Sequence, residues 1–186
     1  MSGIDGGGKT AFARDLATEL RARGAAVAEL ALDPWHEPAE VRFSATAPAR
    51  TFYDRAFRWE ALFAELVDPL RRDRRFDGAF DLARGCGPER ERRRYRFERV
   101  DLVLLEGVFL FRRERRSRFD FALWIDCPFD VALARALARN QEGLPEAELR
   151  RDYAAVYHAA QRIHLERDEP ARAADAVFVN GAPGPR

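Results

Sequence analysis

The chain has 186 residues, the size of one domain with a single sizeable core. Apolar residues make up 47%, and 32 basic residues nearly cancel 31 acidic ones. This excludes wholesale disorder and any global pull toward nucleic acid or an anionic membrane. No run approaches the ~18 apolar residues of a spanning helix, and glycines rather than a basic-then-apolar leader open the sequence, so a soluble cytoplasmic protein is expected. Cys86 and Cys127 lie far apart without CxxC or Cys/His spacing, which supports neither a disulfide framework nor a zinc site.

In chain order, a glycine-rich stretch leads into a predicted helix over 11–23, with Phe12, Leu16 and Leu20 at helical spacing and Gly24 as its stop. Residues 27–32 read as a short strand ending at Asp33-Pro34. A second helix covers 58–72, where Trp59, Leu62, Phe63, Leu66 and Leu70 form an apolar stripe. Residues 79–97 read as two extended pieces around Gly85-Cys86-Gly87-Pro88, a hairpin. Continuous buried strands are expected over 100–105 (VDLVLL), ending at Glu106-Gly107, and over 121–125, ending at Asp126-Cys127-Pro128. Helices at about 130–140 and 146–167 precede a last strand over 176–179 and a Gly/Pro tail. No internal repeat breaks the alternation, which predicts an α/β fold: a mostly parallel sheet with helices on both faces. The expected organisation is one domain over 1–186, with a substrate-binding insertion over about 34–99 and a short lid over about 135–152.

The opening stretch, Gly3-Ile4-Asp5-Gly6-Gly7-Gly8-Lys9-Thr10, matches GxxxxGK[ST] in full. Glycines let successive backbone N–H groups turn inward on phosphate oxygens, and the following helix adds its positive N-terminal end. The motif makes Lys9 a ligand of the terminal phosphates and the Thr10 hydroxyl a ligand of magnesium. Lys9 is the only lysine; the other 31 basic residues are arginine. A site that keeps lysine against that bias points to a need for a compact ammonium on a flexible stem. Such a loop normally follows a buried central strand, yet only Met1 and Ser2 precede Gly3. The first strand is therefore expected to lie upstream, with the natural start some ten residues earlier.

In open parallel sheets ligands bind beyond the C-terminal strand ends, where Asp33, Glu106 and the glycine loop all fall. Phosphoryl transfer needs magnesium ligands, a group to take the acceptor's proton, and cations for developing charge. Glu106, after four apolar strand residues, reads as the magnesium acid against the alternative of a solvent-facing strand end. Asp33 reads as the base against the alternative of an Asp-Pro turn. Arg135 and Arg139, four apart on one helix, suit a phosphate-clamping lid, whereas Arg150 and Arg151 read as a solvated face. The run 90–96 and the cluster Arg112, Arg113, Arg115, Arg116 and Arg118 alternate with Glu89, Glu91 and Glu114. They read as a salt-laced surface rather than a nucleic-acid site. His158 and His164 are read as structural, and His36 as a candidate contact to acceptor or phosphate.

The stretches SGIDGGGKT, LDPWH, TFYDRAFRWEAL, VDLVLLEGVFLFRRE, FALWIDCPFDVALARALARN and ADAVFVN together resemble the uridine kinase and phosphoribulokinase family of P-loop kinases over nearly the whole chain. The resemblance implies ATP and Mg2+ as cofactors, bound by Gly3, Asp5, Gly6, Gly7, Gly8, Lys9 and Thr10, with Glu106 helping Thr10 hold the metal. It implies that Asp33 activates the acceptor hydroxyl, that Phe52, Tyr53 and Asp54 belong to the sugar site, and that Arg139 and Arg135 belong to the lid. Phe80 and His36 join the expected acceptor set, and adenine is placed near Asn180-Gly181. Two departures stand out. Residues 80–86 (FDLARGC) lack the histidine that the resembling hairpin of uridine kinases carries, and Ala136 takes one of the paired lid-arginine positions. The expected activity is phosphorylation of a hydroxyl on a small metabolite, a nucleoside first, with pantothenate or a sugar as alternatives. A non-catalytic nucleotide-binding regulator remains the competing class. A small-molecule partner is expected, with no nucleic acid and no membrane; oligomerisation is left open.

Overall fold

The structure, a computed structural model, describes residues 1–85, 89–141 and 143–181. The predicted hairpin turn at Cys86 to Pro88, lid residue Glu142 and the tail beyond Gly181 lie outside the described residues.

Two parallel ladders build the sheet. Strand β1 (Ser2–Gly3) pairs with β6 (Leu123–Asp126), which pairs with β7 (Ala176–Val179); β2 (Val27–Ala31) pairs with β5 (Leu102–Glu106). A parallel bridge from Ser2 to Gly107 joins them, reinforced by the Ser2 hydroxyl on the Gly107 carbonyl at 3.0 Å. The strand order is therefore β2-β5-β1-β6-β7. The sequence reading placed the first strand upstream of Met1. The structure forms a two-residue one at Ser2–Gly3, and its central position puts Gly3 at the heart of the sheet.

Helix α1 (Lys9–Ala22) follows β1 directly and ends at Arg23 and Gly24, whose φ of +89° turns the chain back toward β2. Between β2 and β5 come a short turn at Asp33–Trp35, α2 (Ala39–Arg42), α3 (Pro48–Arg55) and α4 (Trp59–Ala61). A π-turn at Leu62–Val67 then runs α4 into α5 (Asp68–Asp73). The apolar stripe read from the sequence is the buried face of this last stretch: Leu62, Leu66 and Leu70 have no exposed surface. Four-residue spacing stacks them on one face, and truncating any of them to alanine costs about 2–5 kcal/mol.

Strands β3 (Phe76–Ala83) and β4 (Arg90–Phe97) form the expected antiparallel hairpin, longer at its start than predicted. Period-two alternation sends Arg92 and Arg94 outward onto Asp81 and Asp77 of the same hairpin, while Phe80 packs on Trp35 at 5.1 Å. The arginine run of β4 is thus a paired surface, as the sequence suggested. The second cluster is not uniformly so. Arg112 is buried, its guanidinium 4.2 Å over the Tyr53 ring and its Nη1 donating to the Tyr53 carbonyl at 3.0 Å. Alternation with glutamate does not reveal that the segment after β5 dives back into the core.

The C-terminal part comprises α6 (Phe129–Arg139), α7 (Glu146–Asp152), a π-turn at Tyr153–Tyr157 running into α8 (His158–Asp168), and α9 (Pro170–Ala173) before β7. The predicted single helix over 146–167 is thus broken by a wider turn, a feature that 3.6-residue spacing does not encode. No helix among the described residues is long and apolar enough to cross a membrane.

Candidate active site

Beyond the C-terminal ends of β1, β2 and β5 lies a cavity of about 320 Å³. The glycine loop forms one part of its wall. Its geometry leaves little room for anything but glycine: Gly6 has φ +72°, and a Cβ there would stand 2.2 Å from the Ala132 carbonyl oxygen at the start of α6. The Lys9 ammonium turns back to donate to the Ile4 carbonyl at 2.9 Å. Asn180, at the end of β7, donates its Nδ2 to the Gly7 carbonyl at 2.9 Å and so ties the last strand to the loop.

Thr10 and Glu106 meet across the floor, the threonine hydroxyl donating to Glu106 Oε1 at 3.1 Å. One hydroxyl and one carboxylate, both oxygen donors, are what a magnesium ion shared with nucleotide phosphates takes from a protein. The residues present therefore fit that ion. No larger cluster of three or more His, Cys, Asp or Glu suited to a metal occurs among the described residues.

Asp33, one residue past the strand β2 and its Leu32, faces the same space. Its carboxyl is pushed up to about 6, first by enclosure in protein, then by the negative charges of Glu106 and Asp5, against the opposing pull of Lys9 and Arg139. The group is enclosed by neighbouring atoms yet its residue is solvent-exposed at the cavity wall. Asp5 behaves oppositely. Burial works against its charge, but Lys9, the Tyr153 hydroxyl, Arg139 and the Gly6 N–H outweigh it and hold the carboxyl below the usual range. Tyr153 donates to Asp5, and Arg139 Nη2 approaches it at 3.4 Å, so α6 and the π-turn at Tyr153–Tyr157 are fastened to the glycine loop through this side chain. Arg135, one turn before Arg139, donates to the Asn180 carbonyl at 3.2 Å.

The rest of the wall is largely aromatic: His36, Phe52, Phe57 and Tyr157, with Val108, Gln161 and the charged Arg42. His36 stacks on Phe57 at 4.5 Å; burial first, then the neighbouring Arg42 charge, lowers its imidazole to about 3, so it is neutral. Its Nδ1 is buried with no hydrogen-bond partner among the described residues. Gln161 Oε1 accepts from the Asp5 N–H at 3.2 Å.

Of the residues predicted for the site, the cavity wall contains Asp5, Gly6, Gly8, Lys9, Thr10, Asp33, His36, Phe52, Glu106, Arg135 and Arg139. Gly3 and Gly7 are buried behind it as frame. Three predicted acceptor contacts do not line it. Tyr53 turns inward to Asp168, Asp54 pairs with Arg50 and lies 3.7 Å from Arg112, and Phe80 packs on Trp35. Helix α3 explains the first two, since successive residues point about 100° apart and only Phe52 of the three faces the cavity. Arg42, Phe57, Val108, Tyr157 and Gln161 were not foreseen, because none belongs to a motif. His158 and His164 are buried, as read, although Gln161 between them is a wall residue.

The fold has solved counterparts. A protein described as a possible uridine kinase from Bacillus stearothermophilus matches with TM-score 0.72 and 23% identity over 95% of this chain and 85% of that one. A candidate fructose transport system kinase from Silicibacter sp. TM1040 matches with TM-score 0.70 and 19% identity over 95% and 86%. No family model matches the chain, and no curated protein does. The chain has the P-loop NTPase fold, in the form seen in these two proteins described as kinases.

Proposed function

We propose that the protein is an ATP-dependent kinase that phosphorylates a hydroxyl of a small, ring-containing metabolite, with a nucleoside as the first acceptor to test. The observation that carries this is one cavity in which the phosphate loop, the Thr10–Glu106 pair and Asp33 meet a largely aromatic wall that also carries Arg42. A purely regulatory nucleotide site needs the first two but not a raised carboxyl facing aromatic side chains in the same cavity.

Within this reading, Lys9 and the loop N–H groups of Gly6 to Gly8 hold the donor's phosphates, while Arg139 and Arg135 cover them from the lid. Thr10 and Glu106 would hold a magnesium ion, which would supply neutralising charge to the phosphoryl oxygens. Asp33 accepts the proton of the acceptor hydroxyl as that oxygen bonds to the terminal phosphorus and ADP departs. A carboxyl near 6 is well matched to this, being ionised at neutral pH and more basic than an ordinary aspartate. Phe52, Phe57 and Tyr157 stack on the acceptor, and His36 offers its unpartnered Nδ1 for a hydrogen bond.

The test is ADP release with ATP and magnesium against uridine, cytidine, other nucleosides, pantothenate and simple sugars, with Lys9→Ala as the blank. Turnover stimulated by one acceptor and abolished in the blank supports the kinase and names its substrate class. Tight nucleotide binding with no stimulation by any of them would favour the regulatory class instead.

A further inference from the structure

Behind the aromatic wall lies a second buried polar group that the chemistry above does not use. The Asp168 carboxylate, last residue of α8, has no exposed surface. It takes three donors: the Tyr53 hydroxyl, His164 Nδ1 at 2.7 Å and the Arg113 N–H at 3.2 Å. Arg112 closes the group from the far side, over the Tyr53 ring. Three chain segments far apart in sequence therefore converge on one carboxylate: α3, α8 and the stretch after β5.

Each of these segments also supplies cavity wall. Phe52 precedes Tyr53, Gln161 lies one turn before His164, and Val108 lies five residues before Arg113. Between Val108 and Arg113, Phe109 is held at φ +58°, a left-handed conformation costly for a bulky residue. Its ring packs edge-on against Tyr53 and His164, both at 5.5 Å, and against Phe52 at 6.2 Å. A strained backbone persists where its surroundings over-determine it, and here the surroundings are the three segments fastened to Asp168. An apolar plug would hold the segments together; a carboxylate with three directional bonds also fixes their mutual register. Among the described residues none of the hydrogen bonds made by Asp168 reaches the glycine loop, so the phosphate side is linked to it indirectly, through Gln161, whose Oε1 accepts from the Asp5 N–H.

We propose that Asp168 is a positioning residue for the acceptor side of the cavity, setting Phe52, Val108 and Gln161 through Tyr53, Arg113 and His164. The proposal rests on the kinase reading for its kinetic consequence but not for its structural one. The two variants are Tyr53→Phe, which deletes one hydroxyl and leaves the ring, and Asp168→Asn, which keeps the shape and removes the charge. Amide hydrogen exchange of the full chain is the first readout. In both variants exchange should rise about tenfold or more over 48–55 and 107–113, while 9–22 in α1 stays as in the wild type. A uniform rise across the chain, or no rise in those two segments, overturns the proposal whatever the protein catalyses. With uridine as the acceptor probe, the KM for uridine should rise roughly ten- to a hundredfold, the cost of ångström-scale misplacement, with the KM for ATP within twofold. A parallel rise in both KM values would also overturn it. If the wild type turns over no acceptor, the kinase reading falls and the exchange result alone decides the role of Asp168.

Discussion

Asp33→Asn should abolish phosphoryl transfer and at the same time make the protein more stable. A carboxyl at about 6 in the folded chain and at its ordinary value of 3.8 when unfolded binds its proton more tightly in the native state. Its contribution is therefore most favourable below pH 3.8 and is lost as pH rises through 6, leaving a cost at neutral pH. Full burial would set that cost at about 3 kcal/mol, but water in the cavity screens the charge, and about 1 kcal/mol is the figure to expect. The neutral amide removes it, so thermal unfolding at pH 7.5 should shift up by about 2–4 °C for a domain of this size. Activity should move the other way, falling about a hundredfold or more through loss of the base. In the wild type, kcat/KM should decline below pH 6, about tenfold by pH 5, as Asp33 takes up its proton. Paired melting and ADP-release measurements on both proteins decide the matter. An Asn variant that keeps full activity, or one that melts below the wild type, would refute the assignment of Asp33 as a base held at energetic cost.

Three other outcomes follow from the same geometry. Gly6→Ala forces a Cβ against the Ala132 carbonyl at a left-handed φ, so a loss of about 2–4 kcal/mol and no thermal shift on adding MgATP are expected; a wild-type melting point would contradict the steric reasoning. Glu106→Gln removes the charge beside Thr10 and should raise the magnesium concentration for half-maximal ADP release at least about tenfold, read by titrating the metal at fixed ATP. Burial opposes the Asp168 charge, but His164, Tyr53 and the Arg113 N–H outweigh it and depress the carboxyl to about 2. About 2 kcal/mol of stability should therefore fade as pH falls from 3.8 toward 2, and denaturant titrations should show this acid slope lost in Asp168→Asn.

Much of the fold is legible because its signals are local. The run 102–105 is apolar throughout, as suits a strand within a parallel sheet, and Leu62, Leu66 and Leu70 announce their helix face by spacing alone. Phosphate chemistry is equally local: a loop that must bend back on phosphates needs glycines, and lysine and a hydroxyl must follow at fixed distance, so eight consecutive residues spell it out. The π-turns escaped the reading because they change which residues share a face without changing residue type. The turn at Tyr153–Tyr157 sits where Tyr153 reaches Asp5 and Tyr157 reaches the cavity. Arg112 escaped it for a related reason: arginine in a charged run looks solvated unless the stretch's return into the core is known.

The acceptor side of the site could not be written in one stretch at all. His36, Phe52, Val108 and Gln161 come from four segments separated by whole elements, and each alone looks like an ordinary loop, core or helix residue. Resemblance placed the acceptor contacts on residues 52–54, yet helical geometry lets only Phe52 face the cavity and sends Tyr53 to Asp168. The phosphate side is built by backbone, which tolerates no drift, while the acceptor side is built by side chains brought together through packing. Substitutions there can exchange one small metabolite for another without disturbing Lys9, Thr10 or Glu106. A change of acceptor within this architecture should therefore be sought in the packing behind the wall, around Tyr53, Phe109 and Asp168, as much as in the wall residues themselves.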